Sequence, residues 1–144
     1  MVDFYPGLEH KSPAFLKLNP LGQLPILEDS GQVISDSAAI LTHLARTYDG
    51  SNQWYPPEKA AEIKKWFAFA DEITATASAA RLHDTLFYDL DVEAARAGAH
   101  RLFRQLDEHL WFAEQSGNDW LIAGTQPTLA DIACFPYVAL SEDG

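Results

Sequence analysis

Apolar positions along the chain follow two different patterns, which change over near Tyr55-Pro56-Pro57. Before the prolines the apolar runs are short. Leu24 to Leu27 reads as a strand, Asp29-Ser30-Gly31 as a turn and Gln32 to Ile34 as a second strand, so the two are antiparallel neighbours. A segment from Val2 to Tyr5 and a loop or irregular helix from Pro6 to Leu18 precede them, and a helix from Asp36 to Tyr48 follows. After the prolines the spacing becomes helical. Ile63, Trp66, Phe67, Ala70, Ile73 and Ala77 share one face, Ala95, Ala99, Leu102, Phe103, Leu106 and Leu110 share another, and a third helix begins near Thr128. The order is therefore an α/β piece over residues 1–50, a Pro-containing link over 51–57 and an all-helical part over 58–144.

Composition narrows the class. A chain of 144 residues, 47% hydrophobic, buries enough surface for one compact unit or two small ones. Ten Lys and Arg against 21 Asp and Glu leave a net charge of −11, with no basic cluster. Phosphate binding needs concentrated cationic charge, so neither a nucleic acid nor an anionic membrane is an expected partner. The single cysteine, Cys134, excludes an internal disulfide and a CxxC pair, which fits a reducing compartment. No apolar run approaches a membrane span and the first residues lack an export pattern, so a cytoplasmic location is expected.

Two short stretches carry candidate chemistry. Pro25 lacks an N–H donor, which suits the head of a strand or an edge. Its preceding bond has two forms: trans, by far the commoner, or cis, found in about 5% of X-Pro bonds. A cis bond sets the Leu24 N–H and C=O side by side, where they can pair with a peptide-like ligand as an added strand does. In Ile34-Ser35-Asp36-Ser37-Ala38-Ala39-Ile40, small polar residues stand where a strand ends and a helix starts. Simple N-capping by Ser35 or Asp36 explains them. So does ligand binding: the helix N-terminus and the Ser37 hydroxyl favour a carboxylate, and Asp36 accepts from an ammonium.

Taken together, Asn19-Pro20-Leu21-Gly22-Gln23-Leu24-Pro25-Ile26-Leu27 and Asp36-Ser37 resemble the glutathione-binding half of the glutathione S-transferase family. The resemblance implies a cis Pro25, a partial thioredoxin-like domain and a helical-bundle C-terminal domain. It implies that the Leu24 backbone and Pro25 meet the cysteinyl unit of glutathione, while Asp36 and Ser37 hold its γ-glutamyl head group. Lys11 or Gln23 then stands near the glycine carboxylate. Trp120-Leu121-Ile122-Ala123-Gly124 followed by Thr128-Leu129-Ala130-Asp131 resembles the segment that caps the family's buried core helix. Independently of the family, Thr128 and Asp131 have the form of a capping box, which serves folding.

The resemblance covers the middle of the family. Its first strand-helix-strand would precede this chain and its last helices would follow, so both ends look cut. The donor that stabilises the glutathione thiolate belongs to that first segment. A free thiol has a pKa of about 8.5, so lowering it is the family's main catalytic service. Tyr5 and Ser12 are the nearest hydroxyls but not in the expected place, and the catalytic residue is unassigned. With two strands, the α/β piece has fewer than the three usual for independent stability and carries an open edge, which predicts that the chain alone is marginally stable, or that it dimerises or aggregates through that edge. The family resemblance likewise implies a homodimer.

Other constellations take structural readings. Cys134 follows the capping box on a core helix, as a buried inert thiol. Asp89, Asp91 and Glu93 lack the glycine and terminal Glu of a calcium loop and fit a solvated helix start. His43, His83, His100 and His109 show no paired metal spacing, and no metal is expected. Trp66, Phe67, Phe69, Phe87 and Tyr88 read as core, while Arg81, Leu82 and Thr85 are implied as lining for a small electrophile. Two function classes result. One is a glutathione transferase with a detoxification role, conjugating the thiolate to an electrophile or reducing a peroxide. The other is a noncatalytic transferase-like association module.

Overall fold

The structure, a computed structural model, describes residues 9–86 and 89–141, and the side chains of all of these except 84–86. The expected segment at Val2 to Tyr5, the aromatics Phe87 and Tyr88 and the side chain of Thr85 lie outside the described residues. The chain divides into two compact units between Tyr48 and Asp49.

In the first unit a single 3-10 turn, Glu9–Lys11, leads into helix α1, Pro13–Leu18. Ser12 caps α1 by accepting the Phe15 N–H at 3.2 Å. Strand β1, Ile26–Asp29, pairs antiparallel with β2, Gln32–Ser35, in the register Ile26 opposite Ser35, Leu27 opposite Ile34, Glu28 opposite Val33 and Asp29 opposite Gln32. The two-residue turn has Ser30 at φ 51° and Gly31 at φ 81°, both left-handed, as the strand twist demands of so tight a reversal. Helix α2, Ser37–Tyr48, packs against both strands. The expected strand from Leu24 is shorter at its start and longer at its end. Leu24 and Pro25 fall outside the ladder, because the proline has no N–H to give it, and pairing continues to Asp29 because the turn needs only two residues.

In the second unit, helix α3, Ala60–Ile73, buries Ile63, Phe67, Ala70 and Ile73, the face its spacing predicts. It does not run on as an α-helix to Ala77. Thr74–Ser78 is a π-helical turn, followed by α4, Ala79–Leu86, an element the spacing had not separated. Helix α5, Val92–Gln115, starts at Asp91, whose carboxylate accepts the Ala94 N–H at 3.0 Å. It buries Ala99, Leu102 and Leu106, whereas Leu110, expected on the same face, is 40% exposed. Helix α6, Leu129–Ala139, packs on α3. Ile73, Ala77, Ala99 and Leu102 form the core between α3, the π turn and α5. The segment expected as a link joins this unit. Tyr55 is buried, and the Trp54 carbonyl accepts the Leu129 N–H at 2.9 Å.

Candidate functional site

The hairpin register decides the geometry of the site. Because Ile26 stands opposite Ser35, the residues just before β1 and just after β2 emerge at the same open end of the hairpin. Leu24-Pro25 and Asp36-Ser37 are therefore neighbours despite the 11 residues from Pro25 to Asp36. The Leu24–Pro25 bond is cis. Leu24 is 51% exposed.

Asp36 adopts φ 84°, a left-handed conformation uncommon outside glycine, though aspartate tolerates it better than most. That turn places its side chain over the end of α2. One carboxylate oxygen, Oδ1, accepts the Ala39 N–H at 2.8 Å. Asp36 is thus the N-cap, ahead of Ser35, and the capping and ligand readings coexist because Oδ2 is left over. The N–H groups of Ser37 and Ala38, in the first turn, have no acceptor within the helix. The open end of the hairpin accordingly offers main chain outside the strand ladder, an acid oxygen, a hydroxyl and a helix N-terminus.

The loop leading to Leu24 is tightly tied. Asn19, only 6% exposed, donates from Nδ2 to the Gln23 carbonyl at 2.8 Å and accepts the Leu21 N–H on Oδ1 at 3.2 Å. Its own carbonyl accepts the Gly22 N–H at 2.9 Å. Lys11 donates from Nζ to the Gly22 carbonyl at 2.9 Å and to the Leu21 carbonyl at 3.4 Å. Gly22 sits at φ 59°, and a Cβ there would lie 2.8 Å from the Lys11 ammonium and 2.9 Å from the His10 carbonyl. Neither Asn19 nor Gly22 was nominated from sequence as a site residue, although Asn before Pro in a turn is the available signal.

Farther along the hairpin, Asp29 accepts from the Tyr48 hydroxyl at 2.7 Å and lies 2.7 Å from His43 Nε2. These two contacts hold its carboxyl below the usual carboxylate range, His43 contributing most.

In the second unit Arg81 and Leu82 lie half-buried on α4. The capping box of α6 is closed in both directions. Thr128 Oγ1 accepts the Ala130 N–H at 3.2 Å and Asp131 Oδ2 accepts the Thr128 N–H at 2.8 Å. Asp131 Oδ1 also accepts the Leu121 N–H at 2.9 Å, fastening the preceding loop to the helix. Cys134 is buried, with its thiol pushed up to about 12 by burial and then by the Asp131 charge. An open groove of about 420 Å³ is lined by residues including His100, Phe103, Arg104, Leu110, Val138 and Ser141, none of them nominated from sequence. No helix among the described residues is long and apolar enough to cross a membrane.

The chain is similar to known proteins. The family model for the glutathione S-transferase N-terminal domain matches residues 1–47. Human glutathione S-transferase theta-2 is 32% identical over 136 residues, covering 91% of this chain and 55% of that protein. The probable elongation factor 1-gamma 2 of Arabidopsis thaliana is 35% identical over 136 residues, covering 91% of this chain and 32% of that protein. Among solved structures, Ure2p in complex with glutathione is similar with a TM-score of 0.79 at 25% identity, covering 99% of this chain and 72% of that one. The chain thus spans about half the length of the human relative, 55%.

Proposed function

Because this chain belongs to the glutathione S-transferase family, we propose that it binds glutathione at the open end of the β1–β2 hairpin. In the whole protein this site serves conjugation of the glutathione thiolate to a small electrophile, or reduction of a peroxide. The observation that carries the reading is the register, which brings the Leu24 main chain, outside the strand ladder, to the same end of the hairpin as the N-terminus of α2.

Leu24 and Pro25 meet the cysteinyl unit. The free oxygen of Asp36 takes the γ-glutamyl ammonium, and Ser37 with the first N–H groups of α2 takes the adjoining carboxylate. Gln23 or Lys11 stands near the glycine carboxylate. Arg81 and Leu82, on α4 of the second unit, are the proposed lining for the electrophile. A cytoplasmic homodimer with a detoxification role completes the proposal. The resemblance to a glutathione complex of Ure2p supports glutathione as the ligand.

The test is a thermal melt of the chain followed by backbone circular dichroism, with and without millimolar glutathione. A ligand at a hundredfold its Kd stabilises the native state by about 2.7 kcal/mol. The expected result is an upward shift in Tm for the wild type that is lost in Asp36→Ala and Ser37→Ala. No shift in the wild type would overturn the reading. The similarity to an elongation factor favours a second one, a noncatalytic association module. Turnover of a reactive aryl halide by the whole protein selects the transferase, and binding without turnover selects the module.

A further inference from the structure

We infer that Asn19 is a positioning residue for glutathione, acting through the backbone of Leu24 rather than by touching the ligand. The inference rests on the proposed glutathione site. Leu24 and Pro25 lie outside the β1–β2 ladder, so no strand pairing fixes the main chain that the ligand is to meet. Something else must fix it. A ligand held by two main-chain groups gains most when those groups are set before it arrives, because ordering them on binding costs affinity.

Asn19 is built for that task. It is 6% exposed and spans the loop from both sides, accepting the Leu21 N–H and donating to the carbonyl of Gln23, the residue directly before Leu24. Its main-chain carbonyl closes the same turn on Gly22. The amide supplies one acceptor and one donor where the loop needs one of each. Aspartate would put a carboxylate oxygen against the Gln23 carbonyl, and serine falls short of one of the two. Lys11 braces the outer side of the loop through the Gly22 and Leu21 carbonyls. The close approach of that ammonium is what the missing side chain of Gly22 permits.

The experiment compares wild type, Asn19→Ala and Gly22→Ala in the full chain, with two readouts. One is glutathione affinity by calorimetry. The other is amide hydrogen exchange, read separately for loop residues 21–24 and for the hairpin. All four tryptophans, Trp54, Trp66, Trp111 and Trp120, lie in the second unit, so their emission verifies that this unit remains folded. Expected for Asn19→Ala is loss of protection at the Leu21 amide, retained protection in the hairpin and at least tenfold weaker glutathione binding. Gly22→Ala, which displaces the Lys11 brace or the loop, should weaken binding in the same direction with the hairpin intact. Unchanged loop exchange in Asn19→Ala overturns the inference. So does wild-type affinity despite a loosened loop, or weakened binding accompanied by loss of hairpin protection, which would mark a merely structural role. If the wild type binds no glutathione, the site itself is refuted and the inference goes with it. The exchange data still tell that failure apart from failure of the clasp.

Discussion

His43 Nε2 lies 2.7 Å from Asp29 Oδ2, joining the middle of α2 to the last residue of β1. The Tyr48 hydroxyl reaches the other oxygen of the same carboxylate at 2.7 Å. One acid thus receives two groups from α2, while the opposite end of α2 carries Asp36 and Ser37. The contact ties the helix that presents the proposed ligand groups to the hairpin that presents Leu24.

The sign of its pH dependence follows. Asp29 has its folded pKa lowered by His43 and then by Tyr48. A lowered carboxyl contributes stability that is present above its unfolded pKa of about 3.9 and is lost as pH falls through the folded value. Acid titration followed by hydrogen exchange in the hairpin should show the first unit loosening below about pH 4. Asp29→Asn should loosen it already at neutral pH and flatten the acid dependence. A variant with the wild-type acid profile would contradict this account.

The same contact acts on the phenol. Tyr48 has its pKa raised, first by the hydrogen bond to Asp29 and then by burial. Its contribution is present below the unfolded value of about 10 and is lost as pH rises through the folded one. Asp29→Asn should bring the Tyr48 phenolate absorbance in at lower pH than in the wild type. The comparison must be made against Tyr48→Phe, which removes that signal.

Asp131 closes the capping box and also receives the Leu121 N–H, so its removal strands two main-chain donors in a half-buried setting. Asp131→Ala should cost about 2 kcal/mol, more than a cap alone. Tryptophan emission is the natural readout, since Trp120 adjoins the fastened loop. Asp131→Asn should recover part of the loss, because one amide oxygen can still accept.

Gly98 on α5 meets the π turn closely: a Cβ there would lie 2.8 Å from Thr76 Cγ2. Replacing glycine by alanine inside a helix is worth about 1 kcal/mol in propensity. Overpacking costs about 1–3 kcal/mol, so Gly98→Ala should be neutral to destabilising by about 2 kcal/mol. In a Thr76→Ser background the obstructing methyl is gone and the propensity gain should emerge as a higher Tm. Melts of the two single variants and the double variant decide it.

With its thiol pushed up to about 12 and its side chain buried, Cys134 stays protonated at neutral pH. An aromatic disulfide reagent should leave the native chain unmodified and label it fully in denaturant. Rapid labelling of the native chain would contradict the buried assignment.

What the sequence determined by itself are the features that local chemistry decides. Asp29-Ser30-Gly31 set the hairpin turn, Asp36 capped α2, and Thr128 with Asp131 capped α6, because each bond spans only a few residues. The apolar faces of α3 and α5 were legible for the same reason, since helical spacing is local. Tertiary structure decided the rest. The π turn at Thr74–Ser78 arises where α3 meets the close approach of α5 at Gly98, and no periodicity in the sequence announces a packing partner. Leu110 keeps the spacing of the core face yet is exposed, because exposure depends on what packs opposite. Asp29 finds His43 and Tyr48 at separations of 14 and 19 residues, and Lys11 finds Gly22 at 11. The contacts of Asp29 exist only after α2 has packed back on the hairpin, and that of Lys11 only after the loop before β1 has closed on Asn19, so residue types and spacing could nominate Leu24 and Asp36 but not the groups that hold them in place.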